Sequence, residues 1–161
     1  MSVKEAFTAD EWSALTQAPF CAALAVVAAS PSGPIGALKE MFAMGSAIQD
    51  AAAAGADNPI VQAVIEELRA NPRAGQPAAR PKSVEEAKQI GMDGCRRVAA
   101  LLAAKASPGD AQGFKTWLSA LSQKVAMAAN EGGILGIGGV KVSEAEQAAL
   151  KDIEKVLGMA A

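Results

Sequence analysis

The sequence contains neither histidine nor tyrosine, and aromatic residues make up only 4% of its 161 positions. The absence of histidine excludes imidazole acid–base catalysis, Ser–His and Cys–His nucleophile pairs, and the commonest side-chain ligand of transition metals. The scarcity of aromatic residues argues against a platform for stacked bases. Basic and acidic residues number 15 and 17, for a net charge of −2. Because no excess of positive charge is available to meet phosphates, we expect no nucleic-acid partner.

Long apolar runs and cysteine motifs are missing as well. The longest apolar run, residues 18–29, contains Pro19 and is too short to cross a bilayer. Residues 1–12 are polar and acidic and lack the apolar segment of a secretory leader. Cys21 and Cys95 stand far apart and form no local metal-binding pair, so we expect buried free thiols. These features predict a cytoplasmic protein without a membrane span.

Alanine is abundant, with 38 residues, and it has the highest helix propensity of all amino acids. Apolar residues recur at helical spacing, and no stretch alternates polar and apolar residues as a strand does. A glutamate follows three positions after Thr8, Ser83 and Ser143, which predicts capping boxes at three helix starts. Asn58-Pro59 predicts a helix cap followed by a first-turn proline. We therefore predict an all-α protein, a compact bundle of six or seven helices.

Prolines and glycines set the predicted helix boundaries. Pro19 removes a backbone amide and clashes with the preceding turn, so we expect the first helix to break or kink there. Residues 19–29 are apolar almost all round and are predicted to form the buried central helix. Gly91 and Gly94 are expected to let a neighbouring helix approach closely. The remaining predicted helices cover residues 34–54, 59–68, 83–106, 110–130 and 143–157.

One domain is predicted over residues 1–161, in two halves of similar length. Residues 71–82 hold three prolines, one glycine and three basic residues, which is typical of a semi-extended linker. This linker joins residues 1–70 to residues 83–161. Trp12-Ser-Ala-Leu15 in the first half resembles Trp117-Leu-Ser-Ala-Leu121 in the second. The similarity suggests two related helix-loop-helix halves, and chance likeness between alanine-rich helices is the alternative.

A glycine-rich loop between two predicted helices, residues 130–143, is the feature that composition does not explain. Five glycines fall within eight residues, and the aliphatic residues Ile134, Leu135 and Ile137 lie between them. Glycine permits close backbone approach, and the loop leads into a capped helix whose first amides are free, so we treat it as the candidate ligand-binding site. The candidate residues are Asn130, Glu131, Gly132, Gly133, Gly136, Gly138, Gly139, Ser143 and Glu146.

Four interpretations of this loop stay open. It can be a turn that places its three aliphatic side chains in the core, or those side chains can form an exposed patch for a protein partner. Its carbonyl groups, together with Asn130, Glu131, Glu144 and Glu146, can hold a cation or an anion. A phosphate cradle fits the spacing least, because no lysine adjoins the helix start as in a P-loop and the loop follows a helix, not a strand.

The C-terminal third of the sequence resembles a known family. The segments 126–132 (AMAANEG) and 142–146 (VSEAE), followed by Leu150, Ile153 and Leu157-Gly158, resemble the helix–acidic loop–helix of tellurite-resistance TerB-like proteins. The resemblance implies an all-helical domain with an internal helix-loop-helix repeat, a signalling or scaffold role, and metal binding by acidic loop residues. The family's loop aspartate would fall at Asn130 or Glu131, while residues 30–35 of the first half contain no acidic residue. A different small helical family of similar topology fits the same pattern.

No catalytic constellation is recognisable. Glu66-Glu67 and Glu85-Glu86 are sequence neighbours, which do not share a helix face, and we read them as exposed surface charge. Ser143 has no base near it in sequence and has a capping role instead. We therefore expect no enzyme, no catalytic residue and no cofactor. The predicted function is a cytoplasmic binding or scaffold module with a protein partner or self-association; the alternative is a metal- or small-ligand-binding stress-response protein that uses residues 130–146.

Overall fold

The computed structural model of the chain describes residues 2–29, 55, 57–76, 81–131 and 143–159. Within those ranges the chain forms five α-helices, two 3-10 helices and no strand. The α-helices are α1 (Ala9–Ala29), α2 (Pro59–Ala70), α3 (Val84–Lys105), α4 (Pro108–Glu131) and α5 (Glu144–Val156), and the 3-10 helices are η1 (Val3–Ala6) and η2 (Pro72–Gly75). The all-α prediction is confirmed, whereas the predicted count of six or seven helices is not matched.

Part of the difference in helix count arises at Pro19, which lies inside an unbroken α1. The helix therefore does not break at this residue, and a kink there stays a prediction. Pro19 is itself buried, and Leu15, Ala22 and Val26 on either side of it are fully buried. Packing on this scale offsets the cost of about 3 kcal/mol that an interior proline imposes on a helix. The helix predicted over residues 34–54 lies outside the described residues.

α1 is the central helix, as the apolar character of residues 19–29 predicts. Each of the other four α-helices packs on it, and α3 does so most extensively. On the far side of the core, the rings of Phe114 and Trp117 in α4 meet edge to face with centroids 5.3 Å apart. The largest fully buried side chains are those of Trp117, Phe114, Leu15, Ile65, Leu102, Leu118, Leu121, Ile153, Leu157, Glu146 and Val26.

By length and composition α1 could also cross a membrane, since an 18-residue window of it has a mean hydropathy of 1.5. The sequence-based expectation of no span rested on the shorter run that begins at residue 18. In the fold, 61% of the window is buried inside the protein. The core helix of a folded domain and a signal sequence near the N-terminus both pass this test, so the absence of a membrane span stays a prediction.

The α1–α3 contact is close because it is built from small residues. A Cβ atom at Gly91 would lie 2.6 Å from the carbonyl oxygen of Cys21 and 2.8 Å from the backbone nitrogen of Ala25. A Cβ atom at Gly94 would overlap the side chain of Cys21. The prediction that these two glycines admit a neighbouring helix is confirmed.

Local hydrogen bonds form at the helix starts, and the predicted capping box is complete at α1 but only half formed at α3. At α1 the Thr8 amide donates to Glu11 Oε2 at 2.7 Å, and the Glu11 amide donates to Thr8 Oγ1 at 3.3 Å. At α3 the Ser83 hydroxyl accepts from the Glu86 amide, but the Glu86 carboxylate reaches the amide of Lys82 and not that of Ser83. These bonds satisfy amides that a helix start otherwise leaves free.

Asn58 caps α2 and joins it to α4. Its Oδ1 accepts from the amides of Ile60 and Val61, each at 3.0 Å, and its Nδ2 donates to the carbonyl oxygen of Asp110 at 2.8 Å. Gly113 leaves room for this amide, because a Cβ atom there would lie 2.5 Å from Nδ2. The cap predicted from Asn58-Pro59 is therefore also a cross-link between two helices.

The first residues of the predicted linker are helical and packed. Residues 72–75 form η2, which contacts α1 and α2. The Thr16 hydroxyl in α1 donates to the carbonyl oxygen of Ala74 at 3.1 Å, and Gly75 is buried. This stretch is thus attached to the core, while residues 77–80 lie outside the described residues.

Candidate functional site

Only part of the glycine-rich candidate site falls within the described residues. Gly132, Gly133, Gly136, Gly138 and Gly139 lie outside them, as do Ile134, Leu135 and Ile137. The backbones of Asn130 and Glu131 form the end of α4. Ser143 and Glu146 lie at the start of α5.

Ser143 and Glu146 form the capping box that their spacing predicts. The Ser143 amide donates to Glu146 Oε2 at 3.0 Å, and the Glu146 amide donates to Ser143 Oγ at 3.2 Å. Glu146 is fully buried, although it is a charged residue in the first turn of a helix. Both side chains therefore have a structural role at the start of α5.

Metal binding at this loop stays a prediction. Across the described ranges no group of three or more histidine, cysteine, aspartate or glutamate residues is placed to hold a metal ion. Most of the loop's oxygen donors belong to residues outside those ranges.

The two cysteines are free and buried, as predicted. Burial raises the pKa of the Cys21 thiol to about 11. Burial, together with the neighbouring Cys21, raises the pKa of the Cys95 thiol to about 12. Since the thiolate is the reactive form of cysteine, both thiols are inert near neutral pH.

A groove with a volume of about 500 Å³ lies between η1, α1 and α2. This size is within the range of small-ligand and side-chain pockets. One wall is the outer face of α2. This face lies opposite the buried residues Ile60, Val61, Val64 and Ile65 of the same helix. The lining residues are Ser2, Val3, Lys4, Trp12, Pro59, Gln62, Ala63, Glu66, Glu67 and Ala70.

Three side chains of this groove meet at one carboxylate oxygen. Lys4 Nζ lies 2.8 Å from Glu67 Oε2, and Trp12 Nε1 donates to the same oxygen at 3.3 Å. Lys4 Nζ also lies 5.8 Å from the centroid of the Trp12 ring, within the range of a cation–π contact. The ammonium is thus held between an aromatic ring and a carboxylate that is itself oriented by the indole.

A second set of contacts attaches the segment that carries Lys4. Phe7 packs against Trp12 with ring centroids 6.2 Å apart. Lys105 Nζ lies 6.0 Å from the centroid of the Phe7 ring and pairs with Glu11 Oε2. The short segment from Ser2 to Phe7 is therefore fastened to α1, α2 and α3 chiefly by lysine, carboxylate and aromatic side chains.

Both carboxylates in these contacts are stabilised in the charged form. The hydrogen bond from Lys4, assisted by that from Trp12, lowers the pKa of Glu67 below its ordinary value of 4.5, although partial burial opposes the shift. The hydrogen bond from Lys105 likewise lowers the pKa of Glu11. At neutral pH the groove therefore presents an ionised carboxylate.

The sequence alone does not reveal this site, and in it Glu67 reads as exposed surface charge. Its side chain is 24% exposed and accepts two hydrogen bonds, whereas Glu66 is exposed. The spacing carried a signal, because Glu67 lies three residues after Val64 and seven after Ile60, at the border of the buried stripe of α2. Its partners Lys4 and Trp12, however, are more than 50 residues away in sequence.

No family model, curated protein or solved structure matches this chain. The resemblance of the C-terminal third to TerB-like proteins therefore stays a prediction.

Proposed function

We propose that this protein is a non-enzymatic binding module that holds a peptide segment of a protein partner in the groove between η1 and α2. The observation that carries the proposal is the groove itself, an open concavity of about 500 Å³ with an aromatic wall and one oriented carboxylate. A concave, partly apolar surface with a few fixed polar groups is the usual form of a recognition site.

The titratable groups at the groove favour binding over catalysis. An acid–base catalyst works best with a pKa near the operating pH. Here the pKa of Glu67 is shifted downward, away from neutrality, by its hydrogen bond with Lys4. The two thiols of the chain are buried, with pKa values raised to about 11 and about 12. A charged carboxylate of this kind suits the recognition of a cationic group.

A peptide is a better fit than a large flat partner. The wall formed by α2 is a single helix stripe from Pro59 to Ala70, which offers a trough about as long as a short extended segment. Self-association, location in the cytoplasm and the relation between the two halves of the chain remain predictions from the sequence.

The experiment is a selection of random seven-residue peptides on the immobilised protein, followed by affinity measurement on two matched variants. Ala70→Trp fills the end of the groove from an exposed position. Ala100→Trp places the same side chain on an exposed position of α3 that does not line the groove. We expect enriched peptides to bind the wild type and Ala100→Trp alike and to lose at least about tenfold in affinity on Ala70→Trp.

Two results would contradict the proposal. One is a selection that enriches no peptide with measurable affinity. The other is a set of peptides that bind Ala70→Trp as well as they bind the wild type, because such peptides use another surface.

A further inference from the structure

We infer that Trp12 and Glu67 form a recognition site for a primary alkylammonium group, the end of a lysine side chain in the bound peptide, and that Lys4 occupies this site as an internal ligand. The inference rests on the proposed function and adds the chemical class of the ligand. It starts from the chain's own ammonium, which lies 2.8 Å from Glu67 Oε2 and 5.8 Å from the Trp12 ring centroid.

The site is organised before any ligand arrives. The indole N–H of Trp12 donates to Glu67 Oε2 and so fixes the carboxylate beside the aromatic ring. Trp12 is 6% exposed and the Glu67 side chain 24% exposed. A cation that enters is therefore screened less than at an open surface, which strengthens both its ion pair and its cation–π contact.

The cation that the structure shows in this site is an ammonium. Arginine binds a carboxylate best through two parallel hydrogen bonds, one to each oxygen. In this site a single oxygen, Oε2, accepts both from the Trp12 indole and from the Lys4 ammonium. A compact point charge on a flexible stem fits this arrangement, as Lys4 does.

The position of Lys4 allows an incoming ligand to displace it from Glu67. Its side chain is 56% exposed, and it belongs to a 3-10 helix of four residues with no buried residue. An internal ligand of this kind competes with a partner at its effective concentration, which for a short flexible connection is in the millimolar range. Removal of the Lys4 side chain should therefore make the site available to a free alkylammonium ion.

The test uses n-butylammonium chloride as the probe and the indole N–H signal of Trp12 as the reporter. The protein has two tryptophans, so its nitrogen–proton spectrum holds two indole signals, and Trp12→Phe identifies the one from Trp12. Lys4→Ala opens the site. Lys88→Ala removes an exposed lysine from α3 and is the matched control. 1-Butanol and sodium chloride control for the apolar chain and for ionic strength.

We expect the Trp12 signal of Lys4→Ala to shift saturably with n-butylammonium, with a midpoint at least about tenfold lower than in the wild type or Lys88→Ala. The shift should be absent with 1-butanol and with sodium chloride. It should also be lost in Lys4→Ala combined with Glu67→Gln. Because Lys4 is largely exposed, Lys4→Ala should melt like the wild type, and Lys4→Gln is a second variant that removes the ammonium with less change in volume.

Equal responses of Lys4→Ala and Lys88→Ala, or equal shifts with n-butylammonium and 1-butanol, would overturn the inference. Its failure is distinguishable from that of the proposed function. Groove-dependent peptides without lysine would contradict the alkylammonium site and leave the binding module intact. If the peptide selection failed but n-butylammonium bound saturably to Lys4→Ala, the peptide-binding function would be contradicted and the alkylammonium site would be supported.

Discussion

The two ends of α1 are held in opposite ways. From Cys21 to Ala25 the helix lies so close to α3 that its backbone would clash with a Cβ atom at Gly91, and the Cys21 side chain would clash with one at Gly94. Near its start, Trp12 instead faces an open groove and meets the ends of two long charged side chains, Lys4 and Glu67. The closely packed backbone of the α1–α3 contact has little room to adjust, whereas the flexible side chains at the groove can exchange partners. We therefore expect the α1–α3 contact to be rigid and the side chains of the groove to be adaptable.

The largest effect is expected where a single methyl group enters the α1–α3 contact. Gly91→Ala places a Cβ atom 2.6 Å from the Cys21 carbonyl oxygen and 2.8 Å from the Ala25 nitrogen, so the two helices must separate. We expect the free energy of unfolding to fall by about 2–3 kcal/mol despite the better helix propensity of alanine. Chemical denaturation measures this change.

Gly109→Ala is the matched control, because it adds the same methyl group in the first turn of α4 where no atom lies within 4 Å. Its stability should stay equal to the wild type or rise by up to about 1 kcal/mol. If Gly91→Ala were as stable as Gly109→Ala, the close approach of α1 and α3 would not exist in solution.

The same closely packed region should make the protein sensitive to alkaline pH. Folding raises the pKa of Cys21 to about 11 and that of Cys95 to about 12. The stabilisation that this provides is complete below the unfolded value of 9.0 and is lost as pH rises through the folded values. Unfolding free energies measured upward from about pH 9 should therefore fall by about 1.4 kcal/mol per pH unit for each thiol.

Thiol labelling by Ellman's reagent at neutral pH sharpens this prediction. The native protein should react only at its rate of unfolding, whereas Ala100→Cys, with a new thiol at an exposed position, should release one equivalent of chromophore at once. Rapid labelling of Cys21 or Cys95 in the native protein would mean that the α1–α3 contact opens readily.

Contacts between sequence neighbours are the part of this fold that the sequence predicts well. The reciprocal bonds of Thr8 with Glu11 and of Ser143 with Glu146 connect residues three apart, so their spacing alone is sufficient to identify them. The cap at Asn58 is predicted for the same reason, but its bond to Asp110 is not, because 52 residues separate them.

The sequence fails where distant residues decide the outcome. Pro19 reads as a helix break, and only the burial that other helices impose on α1 shows why the helix continues. The groove brings together Lys4, Trp12 and Glu67 from three elements, and no local pattern encodes that meeting.

Asn58 represents an intermediate case, a buried polar contact between α2 and α4. Asn58→Ala removes the cap of α2 and the bond to Asp110, and we expect a loss of about 2 kcal/mol in unfolding free energy. Asn58→Ser keeps a capping oxygen and removes the amide donor, so its loss should be about half as large. Equal losses in the two variants, measured by denaturation, would show that the cap contributes nothing and the cross-link everything.

The smallest effect on stability is expected at the groove. Glu67→Gln removes the charge opposite Lys4, and because the Lys4 side chain is 56% exposed the unfolding free energy should change by at most about 1 kcal/mol. A fall in pH should also lower the unfolding free energy. The hydrogen bond from Lys4 lowers the pKa of Glu67 below 4.5, so the contribution of the pair is present above that value and is lost as pH falls through the folded pKa.

The pH dependence of the Trp12 indole signal tests this directly, because the indole donates to the carboxylate that titrates. Its midpoint should lie below 4.5 in the wild type and should rise toward 4.5 in Lys4→Ala, while Lys88→Ala keeps the wild-type midpoint. An identical midpoint in Lys4→Ala and the wild type would mean that Lys4 is not seated on Glu67 in solution. The groove at the start of α1 would then hold no internal ligand, and only the close contact of α1 with α3 would remain of the difference between the two regions.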